Sequence, residues 1–367
     1  MSHRIRALID RRALAHNLSV ARRHAGGAGI LAMIKANAYG HGLVPVAEAL
    51  HDADIFGVTD IDEAEQLRAG GTDRPILILQ GIIDRSEIAR IALQGFQVVI
   101  HRVEHLTWLE EELVRLTLPA PLTFWLKLDS GMGRLGIAPE DFAAACRKLQ
   151  ARSWCAGVVA MTHLANSSLP DSPLNRRQLD CFTQRDAELR YVPHATSIAA
   201  SAALLALQTQ ADWARPGIML YGSSPFAWTD VARRREAFDL KNVMTLEARL
   251  LHVAEHRTGD NIGYNSQFVC PRPMRVGIVS CGYADGYPSN TPNGGPVAIC
   301  GRRTTTLGRV SMDMLAIDLT AIPEAEPGIF AQLWGDLVSI DEVAAHTGVI
   351  SYNLSCSLSN RVPRTYS

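Results

Sequence analysis

Eight short apolar runs pass through the first 220 residues, and the stretches between them carry the spacing of amphipathic helices. The runs are ILAMIKA (30–36), IFGVT (55–59), PILILQ (75–80), FQVVI (96–100), LTFWLKLD (122–129) and AGVVAMTH (156–163), followed by the weaker ATSIAA (195–200) and RPGIMLYG (215–222). A run that is apolar without interruption has to be covered on both faces, as the strands of a parallel sheet are. Between them lie LVPVAEAL, DIDEAEQLRAGG, VEHLTWLEEELVRL and PEDFAAACRKLQAR. The last opens on proline and two acids, a favourable first turn. Eight runs with seven intervening segments predict an α/β fold, a closed (β/α)8 TIM-type barrel rather than an open sheet.

The texture changes near residue 240. VMTLEARLLHV, MRVGIVSCGYADGY, PVAICGRRTTTLGRVSMDMLAIDL and LVSIDEV are β-rich and punctuated by Gly, Pro and Asn. At 367 residues the chain also exceeds one usual hydrophobic core. The expected organisation is a barrel over 1–235 and a mostly β C-terminal domain over 236–367, linked by SSPFAWTDVARRREAFDLK.

Charge narrows the choice of partners. With 36 basic and 37 acidic residues, no long run of either sign and 6% aromatics, neither a nucleic acid nor a membrane surface is expected. Seven scattered cysteines without Cys-x-x-Cys make neither a disulfide framework nor a zinc knuckle. The opening MSHRIRALIDRRALAHNL has no apolar signal core, so a cytoplasmic location is expected.

In a barrel of this kind chemistry sits at the C-terminal ends of the strands. Lys35, Lys127, Asp129, His163, Arg215 and Tyr221 all fall at or just beyond predicted strand ends. A lysine closing an apolar run either snorkels to water or serves as an amine of lowered pKa that can form a Schiff base. The company of other strand-end polar residues favours the second reading for Lys35.

Two motifs point elsewhere and are not followed. GMGRLG (131–136) matches a dinucleotide fingerprint, but the helix signal starts only at Pro139 and the next strand ends in histidine, not an acid. HRVEH (101–105) and HVAEH (252–256) match an inverted zinc-peptidase pattern, yet His101 closes a strand and His252 and His256 lie within an alternating one. No metal site is expected.

Taken together, AMIKANAYGHG, KLDSGMGRLG, RPGIMLYG, GYADGY, GRVSMDM and RVPRTY occur in order along nearly the whole chain. In these motifs the sequence resembles the alanine racemase family, pyridoxal-phosphate enzymes built of a barrel and a β domain. The resemblance implies pyridoxal 5'-phosphate held by Lys35. It implies phosphate contacts from Tyr39, Ser201, Tyr352 and the backbone amides of Gly217 and Ile218, of the kind that suits an anion. Arg215 would face the pyridine nitrogen, with His163 hydrogen-bonded to it; arginine cannot accept that proton, so the ring would be a weaker electron sink. Lys35 and Tyr264 would be the two bases of an L-alanine/D-alanine racemase, supplying D-alanine for peptidoglycan or degrading it. A free phenol titrates near ~10, so nearby cations must favour its ionised form. Tyr264 would come from a partner subunit, which implies a head-to-tail homodimer with sites shared between subunits. Arg134 and the Met312 backbone would grip the small amino-acid substrate, and Lys127 would be a carbamylated lysine orienting Arg134. The plain alternatives are core packing for Tyr39 and Tyr352 and a surface Lys127–Asp129 pair.

The match has departures. Ala200 stands where the family often has Asn, Asn265 where Gly is usual, and Ser289-Asn290 where many members place an entry-channel arginine. Three other readings stay open: a serine or broad-specificity racemase, a barrel-type decarboxylase, and a non-catalytic cofactor carrier. A decarboxylase would want an acid opposite the ring nitrogen, and a carrier would have no use for the second domain.

Overall fold

The computed structural model describes residues 3–207 and 209–367. The chain forms two compact units. One comprises Asn17–Ala38 and Leu43–Leu220; the other gathers the segment ending at His16, Tyr39–Gly42 and Tyr221–Ser367.

The first unit is the barrel. After an N-terminal strand β1 (Ile5–Ile9), which belongs to the other unit, come β2 (Gly29–Met33), β3 (Ile55–Val58), β4 (Ile76–Ile78), β5 (Gln97–Ile100), β6 (Leu122–Lys127), β7 (Cys155–Met161), β8 (Ala195–Ala200) and β9 (Trp213–Arg215). β2 to β9 pair in parallel in chain order, and Gly29 against Trp213 closes the ring. Ile30–Ile34, Ile55–Val58 and Val98–Ile100 are buried without a break, as strands covered on both faces must be. The last strand ends at Arg215, where the expected RPGIMLYG run begins; Ile218–Tyr221 is instead a 3-10 turn. Helix Pro139–Gln150 starts on proline with Glu140 and Asp141 in its first turn and buries Phe142, Cys146 and Leu149.

The second unit is mostly β. Its strands are β1 with β10 (Met244–His256), β11 (Asn261–Ile262), β12 (Phe268–Val269), β13 (Met274–Val279), β14 (Pro296–Ile299), β15 (Arg302–Leu307), β16 (Leu315–Asp318), β17 (Phe330–Trp334) and β18 (Arg364–Tyr366). The main sheet runs β13-β16-β15-β14-β17-β10-β1-β18, and β10 also pairs with β13, so six strands close on one another. The expected single cut between 235 and 236 is therefore not how the contacts divide. β1 pairs antiparallel with β10 and parallel with β18, which assigns the first residues to the β unit. Nor is LVSIDEV a strand. Ser339 caps a helix, Ile340–Thr347, by accepting the Asp341 N–H.

Candidate active site

The barrel unit collects cations at the C-terminal ends of its strands. Lys35 lies two residues beyond β2, Lys127 and Arg215 end β6 and β9, and His163 lies two residues beyond β7. Arg215 is buried, and its guanidinium donates to Ser197 Oγ (2.6 Å), the Thr162 carbonyl (2.6 Å) and the Ile198 carbonyl (3.1 Å). Its Nη2 also stands 3.4 Å from His163 Nδ1. All of these partners are neutral. Burial brings the guanidinium down to about 10, which leaves it charged at neutral pH and able only to donate. For His163, burial and then Arg215, Lys127, Arg134 and Lys35 pull the imidazole down to about 3. A neutral ring with Nδ1 turned to a guanidinium accepts there and carries its proton on Nε2.

Lys127 is 8% exposed, so it is not half of a surface pair with Asp129. Burial, Arg134 and Arg215 lower its amine to about 8, with Lys35 adding to the effect and Asp129 opposing it. Asp129 has another task. One of its oxygens accepts from the amides of Gly131, Met132 and Gly133, each at 3.0 Å. Burial works against that carboxylate, but these three amides and Lys127 hold it below the usual carboxylate range. The Gly-rich run is thus a loop wound around Asp129. Gly136 has φ +150 and a Cβ there would lie 2.3 Å from the Asp129 nitrogen. Arg134 projects exposed from this loop.

Ser201 Oγ accepts from the Gly217 N–H (2.8 Å) and the Met219 N–H (3.4 Å), leaving its own O–H as a donor. The Gly217 amide, expected to face an anion directly, is directed at Ser201, and Ile218 opens the following 3-10 turn. At Ala200 no side chain caps the short helix Ser201–Ala206.

Beyond Lys35 the backbone does something no sequence signal announced. Ala36, Asn37, Ala38 and Tyr39 all have φ between +52 and +54, one turn of left-handed helix without a glycine. Each such residue costs about 1–2 kcal/mol. The turn is held by the Ala38 N–H on the Ile34 carbonyl (2.8 Å), the Asn37 N–H on Glu63 (3.1 Å) and the Leu43 N–H on the Asn37 side chain (2.9 Å). Strain kept in place by this many bonds is characteristic of functional segments.

The second unit carries the phenols. Tyr39 stacks on Tyr221 with ring centroids 4.7 Å apart and approaches Tyr352 at 5.8 Å. Burial, chiefly, raises both Tyr39 and Tyr352, so each remains an O–H donor through the physiological range. Core packing is therefore part of what these rings do. Tyr264 is 66% exposed on a turn where Asn265 (φ +57) and Ser266 are left-handed. The departure from Gly at 265 has a reason, because Asn tolerates that conformation. Met312 is exposed and its carbonyl accepts from the Ala284 N–H (3.0 Å). Ser289 and Asn290 are exposed, with Asn290 donating to the Thr347 carbonyl (3.2 Å).

The sequence reading passed over the groups that hold this array. Thr162 Oγ1 bonds the Leu128 carbonyl (3.1 Å) and Ser130 Oγ (2.7 Å). Gln178, buried on helix Pro173–Ala187, donates to the His163 carbonyl (3.1 Å) and accepts from the Ala165 N–H (2.8 Å), clamping the backbone around His163. A glutamine on an otherwise polar helix offers no signal of that role. Among the described residues no group of three His, Cys, Asp or Glu could hold a metal, and no helix is long and apolar enough to cross a membrane. His252 and His256 lie along β10.

Comparison with known proteins agrees with the two-part fold. Residues 9–225 match the family model for the alanine racemase N-terminal domain and residues 243–366 that for the C-terminal domain. The chain is 47% identical to an alanine racemase of Pseudomonas taetrolens over 98% of both chains. It superposes on the crystal structure of the biosynthetic alanine racemase of Pseudomonas aeruginosa with a TM-score of 0.92 at 40% identity, covering 100% of this chain and 99% of the other. It is also similar to the alanine racemase of Bartonella henselae, a structure with covalently bound pyridoxal phosphate (TM-score 0.88, 27% identity, 99% of each chain).

Proposed function

Because the chain belongs to the alanine racemase family and interconverts L- and D-alanine, we propose that Lys35 and Tyr264 are its two bases and pyridoxal 5'-phosphate its cofactor. The observation that carries this reading is the Arg215 guanidinium, buried and, among the described residues, hydrogen-bonded to neutral atoms. The donor set fits the cofactor. The barrel unit places Lys35, Lys127, Arg134 and Arg215 within electrostatic reach of His163, which suits a phosphorylated, carboxylate-bearing complex. When bound, pyridoxal phosphate supplies the electron sink that makes the α-hydrogen of an amino acid acidic.

In this reading Lys35 holds the cofactor and serves one face of the substrate. Tyr39, Tyr352 and Ser201 would each have a hydroxyl proton to offer its phosphate. Arg215 would face the pyridine nitrogen as a donor that cannot give up its proton, and neutral His163 steadies the guanidinium through Nδ1. The serine alternative is not favoured, since the relatives named above are alanine racemases. A decarboxylase would want an acid opposite the ring, whereas the side chains hydrogen-bonded to Arg215 are Ser197 and His163.

Arg134 grips the substrate carboxylate together with the Met312 backbone. A carbamate on Lys127 would orient it. The neutral amine is the form that adds carbon dioxide, releasing a proton, and an amine lowered to about 8 supplies that form near physiological pH. The product carries negative charge beside Arg134 and Arg215, whose positive charges oppose the ammonium.

Tyr264 is largely exposed on its turn, and a general base works best where water is excluded. We therefore assign Tyr264 and Met312 to the site of a partner subunit in a homodimer. Mixing inactive Lys35→Ala and Tyr264→Phe subunits, with exchange allowed, should regenerate up to about a quarter of wild-type sites. Absence of recovery despite proven heterodimers would refute the shared site.

A further inference from the structure

Two segments of the β unit, far apart in sequence, carry rings of the phenol cluster. One is Tyr221-Gly222-Ser223-Ser224; the other is the helix Ser351–Cys356, whose second residue is Tyr352. What joins them is a buried carboxylate on a third segment. Asp341, in helix Ile340–Thr347, accepts from the Ser223 hydroxyl and, at 3.0 Å, from the Ser224 N–H. The Ser223 and Ser351 hydroxyls lie 2.6 Å apart. All four of these residues are buried. Segment 221–224 also abuts the backbone of Lys241. Gly222 has φ +78, and a Cβ there would sit 1.9 Å from the Lys241 carbonyl oxygen.

From this geometry we propose that Asp341 is a positioning residue for the cofactor-phosphate tyrosines. It ties the Tyr221 segment to the Tyr352 segment and so sets the ring stack in which Tyr39 lies. The proposal rests on the reading that Tyr39 and Tyr352 meet the cofactor phosphate. Its physical basis is cost. Burial disfavours the Asp341 carboxylate, and Ser223, the Ser224 amide, Ser351 and Arg235 offset that penalty. An apolar residue packed between the two segments would carry no such penalty, so a buried acid here contributes a defined register of the two chains rather than bulk stability. Tyr39 stacks on Tyr221 at an interplanar angle of 26° and tilts against Tyr352 at 41°, so a shift of either segment changes where the phenolic oxygens point.

The test measures cofactor dissociation from the holoenzyme by equilibrium dialysis against the visible absorbance of bound pyridoxal phosphate. Near-UV circular dichroism of the tyrosines and the melting temperature are recorded beside it. Asp341→Ala removes two hydrogen bonds to a charged group and should weaken cofactor retention about 10-fold or more, with an altered tyrosine signal. Asp341→Asn keeps an acceptor and should remain within about 5-fold of wild type. Ser223→Ala, which removes only a hydroxyl, should weaken retention in the same direction and serves if Asp341→Ala does not fold. In a Tyr352→Phe background, Asp341→Ala should add less than its effect alone, since both act through one phenol.

A lower melting temperature with cofactor dissociation within about 2-fold of wild type, for both Asp341→Ala and Ser223→Ala, would overturn the proposal. So would full additivity with Tyr352→Phe where Tyr352→Phe by itself weakens retention. If Tyr352→Phe alone leaves retention unchanged while Asp341→Ala still alters the tyrosine signal and weakens retention, the phosphate role of Tyr352 falls and the tie made by Asp341 stands.

Discussion

Replacing Lys127 with methionine should make the cofactor-free protein more stable and the holoenzyme less active, and the gain in stability should depend on pH. Methionine is close to lysine in length and carries no charge. In the folded chain burial, Arg134, Arg215 and Lys35 bring the Lys127 amine from 10.5 to about 8. Each tenfold in an ionisation equilibrium is worth ~1.4 kcal/mol, so holding the ammonium there costs the folded state about 3 kcal/mol. Because the folded value is the lower one, the unfolded chain binds more protons between about pH 8 and 10.5. Stability should therefore rise with pH across that window, and the penalty applies in full below it. Lys127→Met removes the penalty. Its advantage should be about 3 kcal/mol at pH 7 and shrink towards zero as pH approaches 10.5. Equilibrium urea denaturation of both proteins, stripped of pyridoxal phosphate and in carbon-dioxide-free buffers, measures the difference. Bicarbonate at pH 8 supplies a second arm. It should stabilise the wild type, where a carbamate replaces an unwelcome cation with an anion, and leave Lys127→Met unmoved. The KM for alanine should rise in the variant, because Arg134 loses its orienting partner. A stability difference that does not change with pH, or a variant less stable than wild type at pH 7, would refute the electrostatic argument.

Other outcomes follow from the same structure. Lys35→Ala should abolish both the visible cofactor band and turnover, read by absorbance and by D-alanine formation; a variant that kept the band would move the attachment site elsewhere. Tyr264→Phe should keep a normal cofactor spectrum and lose about 10²–10⁴-fold in racemisation in both directions. Exchange of the α-hydrogen in deuterated water should fall much further for L-alanine than for D-alanine; equal losses would point to another base, such as Tyr283. Gly40→Ala should destabilise the protein by at least about 2 kcal/mol in chemical denaturation, since φ is +81 and the new Cβ would lie 1.9 Å from the Ser355 carbonyl oxygen.

The barrel was legible because its evidence is local. ILAMI, IFGV and the VVI of FQVVI are each buried on both faces, and that requirement is written into consecutive residues whatever the chain does elsewhere. Even the weak ATSIAA matches the observed strand. The strand-end lysines, histidine and arginine could be read together because barrel topology brings all such ends to one face. Other features depend on partners distant in sequence. β1 reads as nothing in particular until β10 and β18 pair with it, and LVSIDEV reads as part of a β-rich region until Ser339 caps it as a helix. The left-handed turn after Lys35 contradicts local preference at four residues and is sustained by bonds from Glu63, Ile34 and Leu43. Its place at a predicted strand end could name Arg215 as a candidate, but only the folded barrel surrounds it with neutral acceptors and lowers the amine of Lys127. Hydrophobic period is a property of neighbours along the chain. Desolvation, hydrogen-bond partners and electrostatic fields are properties of neighbours in space, and for this protein those came only with the tertiary structure.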